Sequence, residues 1–447
     1  MTSMTRMDAM RRMIGAFLLL GIGAPAVTHA HDWTGFQGPR VLTDPTKPIP
    51  WEWTPTNQIA WTVECVGYGQ SSPVTWQQQV YVTSVSGSNK DRCHLVAYEL
   101  RTGEKRWQVD LAAASGAENN NYVSRAAPTP VVDAAGLVCF FEGGNLLALT
   151  HDGKIRWQRD LVQEFGPIES RHGLAASLEQ DQDRVYVWVE RANEPYLLAV
   201  QKASGQDVWK VPGIGTTSWA SPRLVPVPGG QHLVLSGMGL LVGLDPTTGG
   251  ERWRFTDIRG NSTPTPVPVA EGRFLIAATT GRGEADTGRA AESNGLIAIR
   301  QTDPAEADSA WRAEFVWRAK RATSSFGSPL AYQDHAYFVN SAGVLYCLDL
   351  ATGEERYAER LADSMWATPL PIQGRLYFFG KGGQVSIVEP GPTFRKLAEN
   401  TTWETAGGTQ AGGRTFGGPV LYAAALTDSQ LLLRRGDKLF CIAAPSE

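Results

Sequence analysis

The sequence of 447 residues is poor in the residue patterns that mark metal and nucleophile chemistry. It has five cysteines, an odd number that does not form a disulfide framework in a long chain, and none lies in a Cys-x-x-Cys or Cys-Cys pair. Its seven histidines show no metal-ligand spacing, and no Gly-x-Ser-x-Gly segment occurs. We therefore expect no metal site and no serine hydrolase centre.

The sequence also lacks an excess of positive charge and a long apolar run after the N-terminus. The formal net charge is −4, and no polybasic segment stands out. Nucleic-acid binding normally requires a basic surface, and a membrane-spanning helix requires about 18 or more apolar residues. We expect no nucleic-acid partner and no membrane span.

The first thirty residues have the pattern of a secretory signal peptide. Arg6, Arg11 and Arg12 precede a short apolar stretch at 14–22, and small residues allow cleavage after Ala26 or Ala30. The alternative is a buried helix of a cytosolic domain. Because the first cysteine is at position 65, we expect no lipid anchor at the new N-terminus. The expected protein is a monomer, exported to the periplasm or cell envelope.

Glycine (47) and proline (27) are frequent, and a repeated unit explains where they lie. Each unit opens with a Ser/Thr/Gly-Pro pair followed by short runs rich in Val, Leu, Tyr and Phe, which are typical of strands. The openings are Ser72-Pro73, Thr129-Pro130, Ser221-Pro222, Thr265-Pro266, Ser328-Pro329, Thr368-Pro369 and Gly418-Pro419, with Ala176-Ser177 replacing the pair in the third unit. This count predicts eight units.

Most units close with a turn glycine four residues before an aromatic residue. The closing aromatic residues, which we expect to dock against the neighbouring unit, are Trp61, Trp107, Trp157, Trp209, Trp253, Trp317 and Tyr357. The fifth unit keeps Trp317 without the glycine, and the seventh unit has lost both. A large flat ring fills a widening gap between packed sheets and offers an indole N–H to a neighbouring carbonyl.

The eighth unit has sequence for three strands only, and its fourth strand is predicted at the other end of the chain. The segment from Asn57 to Trp61 has the closing spacing but no strands before it. Such a strand would close a ring and remove two open sheet edges. The predicted fold is all-β: an eight-bladed β-propeller with tryptophan-docking repeats, its last blade closed by an N-terminal strand. The predicted domains are a signal peptide (1–30), a lead-in (31–56) and one propeller (57–447).

The repeat resembles that of the quinoprotein propellers, which are named for pyrroloquinoline quinone (PQQ). The segment from Leu95 to Trp107 carries this resemblance, which covers about residues 57–442 and implies the tryptophan-docking motif. Residues Asp32-Trp33-x-x-Phe36-Gln37-Gly38-Pro39 resemble the lead-in of exported quinoprotein-like propellers. The family contains PQQ-dependent dehydrogenases and a cofactor-free branch, which includes the scaffold lipoprotein of the outer-membrane β-barrel assembly machinery (BamB-like).

The resemblance to the dehydrogenases implies features that this sequence does not match. Those enzymes commonly carry a vicinal disulfide beneath the cofactor, bind Ca²⁺ through Glu, Asn and Asp, and use an Asp as general base. This chain has no Cys-Cys pair, and its carboxylates Asp91, Glu142, Glu169 and Glu194 do not match the family's motifs. We therefore expect no cofactor; PQQ and calcium belong to the alternative function only. The chain also lacks the cysteine that anchors the assembly scaffold.

A binding site is expected at the mouth of the propeller funnel, in the residues just before each opening pair. Loops between blades share one face with the hairpin inside each blade, and ligands usually meet such a face. The expected binding residues are Tyr68, Gln70, Arg125, Arg171, His172, Trp219, Asn261, Phe326, Trp366, Arg414 and Phe416. The alternative is that the aromatic residues plug the channel and the arginines cap strand ends.

Two further hypotheses concern the cysteines and the function. Cys65 follows the closing strand and Cys441 lies on the strand that it should pair with, so a Cys65–Cys441 disulfide is a hypothesis. The predicted function is a non-catalytic exported propeller that binds a protein or polymer partner at the envelope. The alternatives are a PQQ-dependent dehydrogenase of alcohols or sugars and a carbohydrate-binding propeller.

Overall fold

Eight sheets of four antiparallel strands account for nearly all regular structure of the described residues. The computed structural model describes residues 32–39, 42–115, 125–170, 173–215, 219–237, 239–260, 263–278, 292–303, 310–404 and 419–444. First strands of several neighbouring sheets contact one another, so the sheets are blades arranged around a common axis. The eight-bladed propeller is confirmed. The predicted signal peptide lies outside the described residues.

The first four blades follow one another along the chain. Blade 1 contains β2 (Val74–Trp76), β3 (Gln79–Ser86), β4 (Arg92–Glu99) and β5 (Lys105–Ala112). Blade 2 contains β6 (Val131–Asp133), β7 (Gly136–Phe140), β8 (Asn145–Leu149) and β9 (Ile155–Asp160), and is followed by the short helix α1 (Leu161–Phe165). Blade 3 contains β10 (Glu179–Gln180), β11 (Arg184–Val189), β12 (Tyr196–Gln201) and β13 (Asp207–Pro212). Blade 4 contains β14 (Arg223–Val227), β15 (Gly230–Gly237), β16 (Leu240–Leu244) and β17 (Glu251–Phe255).

The last four blades complete the ring. Blade 5 contains β18 (Val267–Ala270), β19 (Arg273–Ile276), β20 (Gly295–Gln301) and β21 (Trp311–Arg318). Blade 6 contains β22 (Leu330–Tyr332), β23 (His335–Val339), β24 (Val344–Asp349) and β25 (Glu355–Arg360). Blade 7 contains β26 (Leu370–Ile372), β27 (Arg375–Phe379), β28 (Gln384–Val388) and β29 (Lys396–Thr401). Blade 8 contains β30 (Leu421–Leu426), β31 (Leu431–Arg435), β32 (Lys438–Ile442) and, from the other end of the chain, β1 (Ile59–Glu64).

Closure of the ring by the N-terminal strand is confirmed. Strand β1 pairs antiparallel with β32, and Trp61 lies opposite Cys441. This register contradicts the Cys65–Cys441 hypothesis, because Cys65 lies four residues beyond Trp61 along the chain, at about 3.4 Å per residue. All five cysteines are free. Burial raises the pKa of the Cys93 and Cys347 thiols to about 12, so these thiols stay protonated and unreactive.

The burial pattern of each strand follows its distance from the axis. Middle strands such as β7 and β12 are buried along almost their whole length, since neighbouring blades cover both faces. Outer strands such as β1 and β13 alternate between half-buried and exposed residues. The hydrophobic core is accordingly divided into layers between blades; one layer packs Tyr81 and Leu95 of blade 1 against Leu137 of blade 2.

Five closing tryptophans donate their indole N–H to a carbonyl of the next blade. The pairs are Trp61 to Leu100 O (3.1 Å), Trp107 to His151 O (2.8 Å), Trp157 to Lys202 O (2.8 Å), Trp209 to Pro246 O (3.1 Å) and Trp317 to Leu350 O (2.8 Å). Each ring lies on the turn glycine of that next blade. At Gly153, whose φ is +82°, an added Cβ would approach the Trp107 ring to 2.8 Å.

Two of the expected docking residues behave differently. Trp253 donates to Nδ1 of His232 in its own blade at 3.0 Å, so its predicted bond to a neighbouring blade is wrong. The next blade lacks the turn glycine on which the ring would lie. The ring of Tyr357 packs against Phe394 at 5.6 Å, so its main contact with the next blade is aromatic.

The lead-in supplies aromatic residues where blade 7 has lost its own. Trp53 stacks on Tyr377 of blade 7 with ring centroids 6.4 Å apart, and its backbone N–H donates to Asn400 Oδ1 at 2.9 Å. Trp403, just after β29, stacks on Phe440 of blade 8 at 5.6 Å. The lead-in is therefore part of the propeller core, in the layer that joins blades 7, 8 and 1.

Candidate functional site

The candidate site is built on a belt of hydrogen bonds formed by the opening residues of the blades. In each case the backbone N–H of one opening residue donates to the hydroxyl of the next. The bonds are Ser72 to Thr129 (2.9 Å), Thr129 to Ser177 (3.0 Å), Ser177 to Ser221 (2.9 Å), Ser221 to Thr265 (2.9 Å), Thr265 to Ser328 (3.0 Å) and Ser328 to Thr368 (3.1 Å). This hydroxyl belt explains why the openings carry Ser or Thr, and it fixes the residues just before them.

Antiparallel strands place two sets of connections on one face of the ring. The loops between successive blades and the hairpins between the second and third strands of each blade lie there; we call this the upper face. The hairpins between first and second strands lie on the opposite, lower face. The belt is at the start of each first strand, so the residues just before it belong to the upper face.

Four half-buried aromatic residues of the upper face form a continuous row, here called the aromatic arc: Phe326, Trp366, Tyr422 and Tyr68. The ring centroids of Phe326 and Trp366 are 4.4 Å apart, those of Trp366 and Tyr422 are 6.3 Å apart, and those of Tyr422 and Tyr68 are 6.2 Å apart. The arc spans four consecutive blades, because these residues belong to the entries of blades 6, 7, 8 and 1. It forms a curved, partly exposed aromatic surface.

A positive charge lies beside the arc. Lys381, in the hairpin between β27 and β28, places its ammonium 4.6 Å from the ring centroid of Trp366, within range of a cation–π interaction. The backbone N–H of Lys381 donates to Ser364 O at 2.7 Å, which fixes the hairpin beside the loop that carries Trp366. The arc can therefore contact apolar and aromatic groups while Lys381 meets an acidic group.

The two tyrosines of the arc, Tyr68 and Tyr422, form a hydrogen bond between their hydroxyl groups. Their hydroxyl oxygens are 2.9 Å apart, and burial raises the pKa of both Tyr68 and Tyr422. Both remain neutral phenols at ordinary pH. Gly436 makes this arrangement possible, because a Cβ at that position would lie 2.1 Å from the Tyr68 ring.

Arg434 is buried next to the Tyr68 end of the arc. The side chain is completely buried and donates to Sγ of Cys65 and to the carbonyls of Thr83 and Gly436. It joins blade 8 to blade 1 by hydrogen bonds to backbone.

Other expected mouth residues hold the loops in place. Trp219 donates its indole N–H to Gly173 O at 3.1 Å, and the backbone N–H of Gln70 donates to Ala126 O at 3.2 Å. Arg125 is only 4% exposed and donates to Ser115 O at 3.0 Å, so the expectation of a mouth arginine open to a partner is wrong at this position. Arg171, His172, Asn261, Arg414 and Phe416 lie outside the described residues.

Two buried carboxyl groups lie in hairpins on the blade 2 and blade 3 side of the same face. Burial raises the pKa of Glu142 to about 7, against the opposing charges of Arg125 and Lys90. Burial also raises the pKa of Glu190 to about 8. In the part of the chain that the structure describes, no group of three His, Cys, Asp or Glu side chains could hold a metal ion.

Sequence reasoning missed two members of the site. Tyr422 follows rather than precedes its opening pair, and Lys381 lies in an inner hairpin whose glycines indicate only a turn. No local sequence pattern distinguishes either residue from its neighbours, because the equivalent hairpin position of blade 2 is also charged, at Glu142.

Comparison with known proteins gives a family and a fold. The model of the family described as "Outer membrane protein assembly factor BamB" matches residues 25–190, 193–314 and 298–434. The crystal structure of BamB from Moraxella catarrhalis is similar, with 14% identity, 87% of this chain and 98% of that chain covered, and a TM-score of 0.58. The computationally designed protein Ika8 covers 87% of this chain and 100% of its own, with 10% identity and a TM-score of 0.57.

A quinohemoprotein alcohol dehydrogenase from Comamonas testosteroni is also similar, with 13% identity, 81% and 77% of the two chains covered, and a TM-score of 0.43. No curated protein matches the sequence. Within the described residues, no helix has the length and apolar character needed to cross a bilayer.

Proposed function

The chain belongs to the family of the outer membrane protein assembly factor BamB, and from this premise we propose that it is an exported, non-catalytic binding module that holds a protein partner on its upper face. The observation that carries the proposal is the aromatic arc with Lys381 beside it. Aromatic residues are enriched at the centres of protein interfaces because they bury large areas at small entropic cost. A row across four blades suits an extended segment of a partner.

The polar features of the upper face support binding rather than catalysis. The carboxyl groups of Glu142 and Glu190 are buried, and the tyrosine hydroxyls of the arc are bonded to each other. General acid–base catalysis needs a titratable group within hydrogen-bond reach of a substrate. Glu142 and Glu190, whose pKa values are raised to about 7 and about 8, are only 5% and 1% exposed, respectively.

Capture of envelope proteins on the purified chain tests this function. The double variant Phe326→Ala, Trp366→Ala removes half of the arc, and Phe36→Ala is the matched control, a half-buried aromatic residue of the lead-in. We expect proteins retained by the wild type and by Phe36→Ala to be lost from the double variant, with all three chains folded by circular dichroism. Equal retention by the folded double variant would contradict the proposal.

A second measurement separates the proposal from its enzymatic and glycan-binding alternatives. The purified chain is incubated with PQQ and Ca²⁺, and quinone absorbance and dye reduction with alcohols and sugars are followed. We expect neither signal, and reproducible turnover would overturn the non-catalytic assignment. Glycan-array binding that depends on Trp366 would assign the arc to carbohydrate instead.

A further inference from the structure

A cavity of about 500 Å³ lies on the lower face, away from the aromatic arc. The lead-in residues 34–39 form one wall, the first strands and first hairpins of blades 2 and 3 form another, and Trp76 of blade 1 and the opening residues of blades 4 and 5 complete the lining. This volume is in the range of small-molecule sites in proteins. The cavity is therefore large enough for an organic ligand.

The lead-in wall is fixed to several blades. Trp33 exchanges two hydrogen bonds with Thr75 of blade 1, at 2.8 and 2.9 Å. The carbonyl of Thr34 accepts from Val132 N of blade 2 at 3.1 Å, and Gln37 Nε2 donates to Ser328 Oγ of blade 6 at 3.2 Å. Because blades 2 and 6 lie on opposite sides of an eight-membered ring, the segment crosses the axis and closes the cavity as a preformed wall.

Among the described residues of the cavity wall there are two cations, and one of them is fully engaged with protein acceptors. Lys202 Nζ donates to Asp133 Oδ2 at 2.5 Å, to Asp181 O at 2.7 Å and to Gln180 Oε1 at 3.3 Å. An ammonium has three donors, so Lys202 has none left for a ligand. Its role is to join blades 2 and 3.

The other cation, Arg223, keeps donor capacity. Its Nη1 makes a long contact of 3.4 Å with Glu179 Oε2, and its Nε is buried without a hydrogen-bond partner. Glu179 does not depend on this contact, because it also accepts from the backbone N–H groups of Gln180 (2.9 Å) and Leu224 (3.2 Å). A planar guanidinium fork with unused donors matches the two oxygens of a carboxylate.

We propose that this cavity binds a small carboxylate with an apolar body, and that Arg223 holds the carboxylate group. The apolar residues of the wall, Phe36, Pro39, Trp76, Val131 and Leu178, would contact the body of the ligand. This site is separate from the aromatic arc, so the proposal does not depend on the function proposed for the upper face.

A titration with a matched pair of probes tests the site. Ligand-observed NMR compares 3-phenylpropionate with its neutral amide, 3-phenylpropionamide, which has the same shape without the charge. We expect saturable binding of the carboxylate below about 10 mM, and binding of the amide at least about tenfold weaker, since a charge-assisted bidentate contact is lost. Absence of saturable carboxylate binding, or equal affinity for both probes, would overturn the proposal.

Three variants assign the binding to the cavity. Arg223→Lys keeps the charge but loses the fork, and we expect it to weaken carboxylate binding about tenfold. Ala134→Glu adds a carboxylate to an exposed position of the cavity wall and should weaken binding about threefold without disturbing the core. Arg254→Gln, at an exposed arginine of β17, is the control and should leave the affinity unchanged. Unchanged affinity in both folded cavity variants would contradict the site.

Discussion

The ring of Phe326 packs against the indole of Trp366 with 4.4 Å between ring centroids, although the two residues lead into different blades. This contact is the first link of the aromatic arc, which continues through Tyr422 to Tyr68. The arc belongs to no single repeat and exists only when blades 6, 7, 8 and 1 are assembled. The ring closure by β1 is therefore a condition for the site as well as for the fold.

The hydroxyl belt predicts a stability cost when one acceptor is removed. In Thr265→Val the side chain keeps its shape, but the buried N–H of Ser221 loses its acceptor. An unpaired buried donor costs about 1–3 kcal/mol. We expect urea unfolding at a lower midpoint for Thr265→Val. Thr62→Val, at an exposed position of β1, should stay within about 0.5 kcal/mol of the wild type; similar effects of both changes would contradict the role of the belt.

The docking contact between Trp107 and Gly153 predicts a difference between two glycine substitutions. Gly153→Ala would place a Cβ 2.8 Å from the Trp107 ring at a φ of +82°. Gly229→Ala has a similar φ of +80° with nothing within 4 Å, so it reports the backbone strain alone. We expect Gly229→Ala to cost about 1 kcal/mol and Gly153→Ala about 1–3 kcal/mol more. Equal thermal midpoints would show that the contact adds nothing.

The buried carboxyl of Glu190 predicts a pH dependence of stability. Its pKa is about 8 in the folded protein, and 4.5 is the ordinary value. The folded state therefore binds more protons than the unfolded state between these values, and this contribution to stability is complete below about pH 4.5 and is lost as the pH rises to about 8. Glu190→Gln keeps a neutral side chain and should remove part of that loss.

The measurement is the change in the free energy of unfolding between pH 5 and pH 8, obtained from urea unfolding curves. Between these two pH values, we expect the free energy of unfolding to fall by roughly 1–3 kcal/mol less in Glu190→Gln than in the wild type. Some sensitivity should remain, because Glu142 has a raised pKa of about 7. Glu104→Gln, at an exposed turn, should behave as the wild type. An unchanged pH profile in Glu190→Gln would contradict the assignment.

The fold could be predicted because its signals are local and repeated. The Ser/Thr-Pro openings mark the start of most blades. The glycine four residues before the tryptophan marks a turn against which the tryptophan ring of the preceding blade packs, where a side chain would clash. The split blade was predictable for the same reason, since Trp61 has the closing spacing without preceding strands. The physical role of the opening hydroxyls emerged only from the structure, because each bond joins residues of different blades.

The site was less predictable because it depends on contacts between units. Phe326 and Trp366 were among the expected mouth residues, but Tyr422 and Lys381 were not, and nothing local distinguishes them. Arg125 illustrates the opposite case: its position before an opening pair is as expected, yet its side chain is only 4% exposed. Trp253 differs from the other closing tryptophans because His232 offers an acceptor within its own blade.

The most direct test of the binding face is photo-crosslinking from two matched exposed alanines. Ala342 lies in the upper-face hairpin of blade 6, and Ala134 lies in the lower-face hairpin of blade 2. A photoreactive residue is placed at each position, and adducts with envelope proteins are identified after irradiation. The account predicts protein adducts from position 342 that disappear when Phe326 and Trp366 are replaced by alanine, and none from position 134. Adducts only from position 134, or adducts from position 342 that survive loss of the two rings, would contradict it.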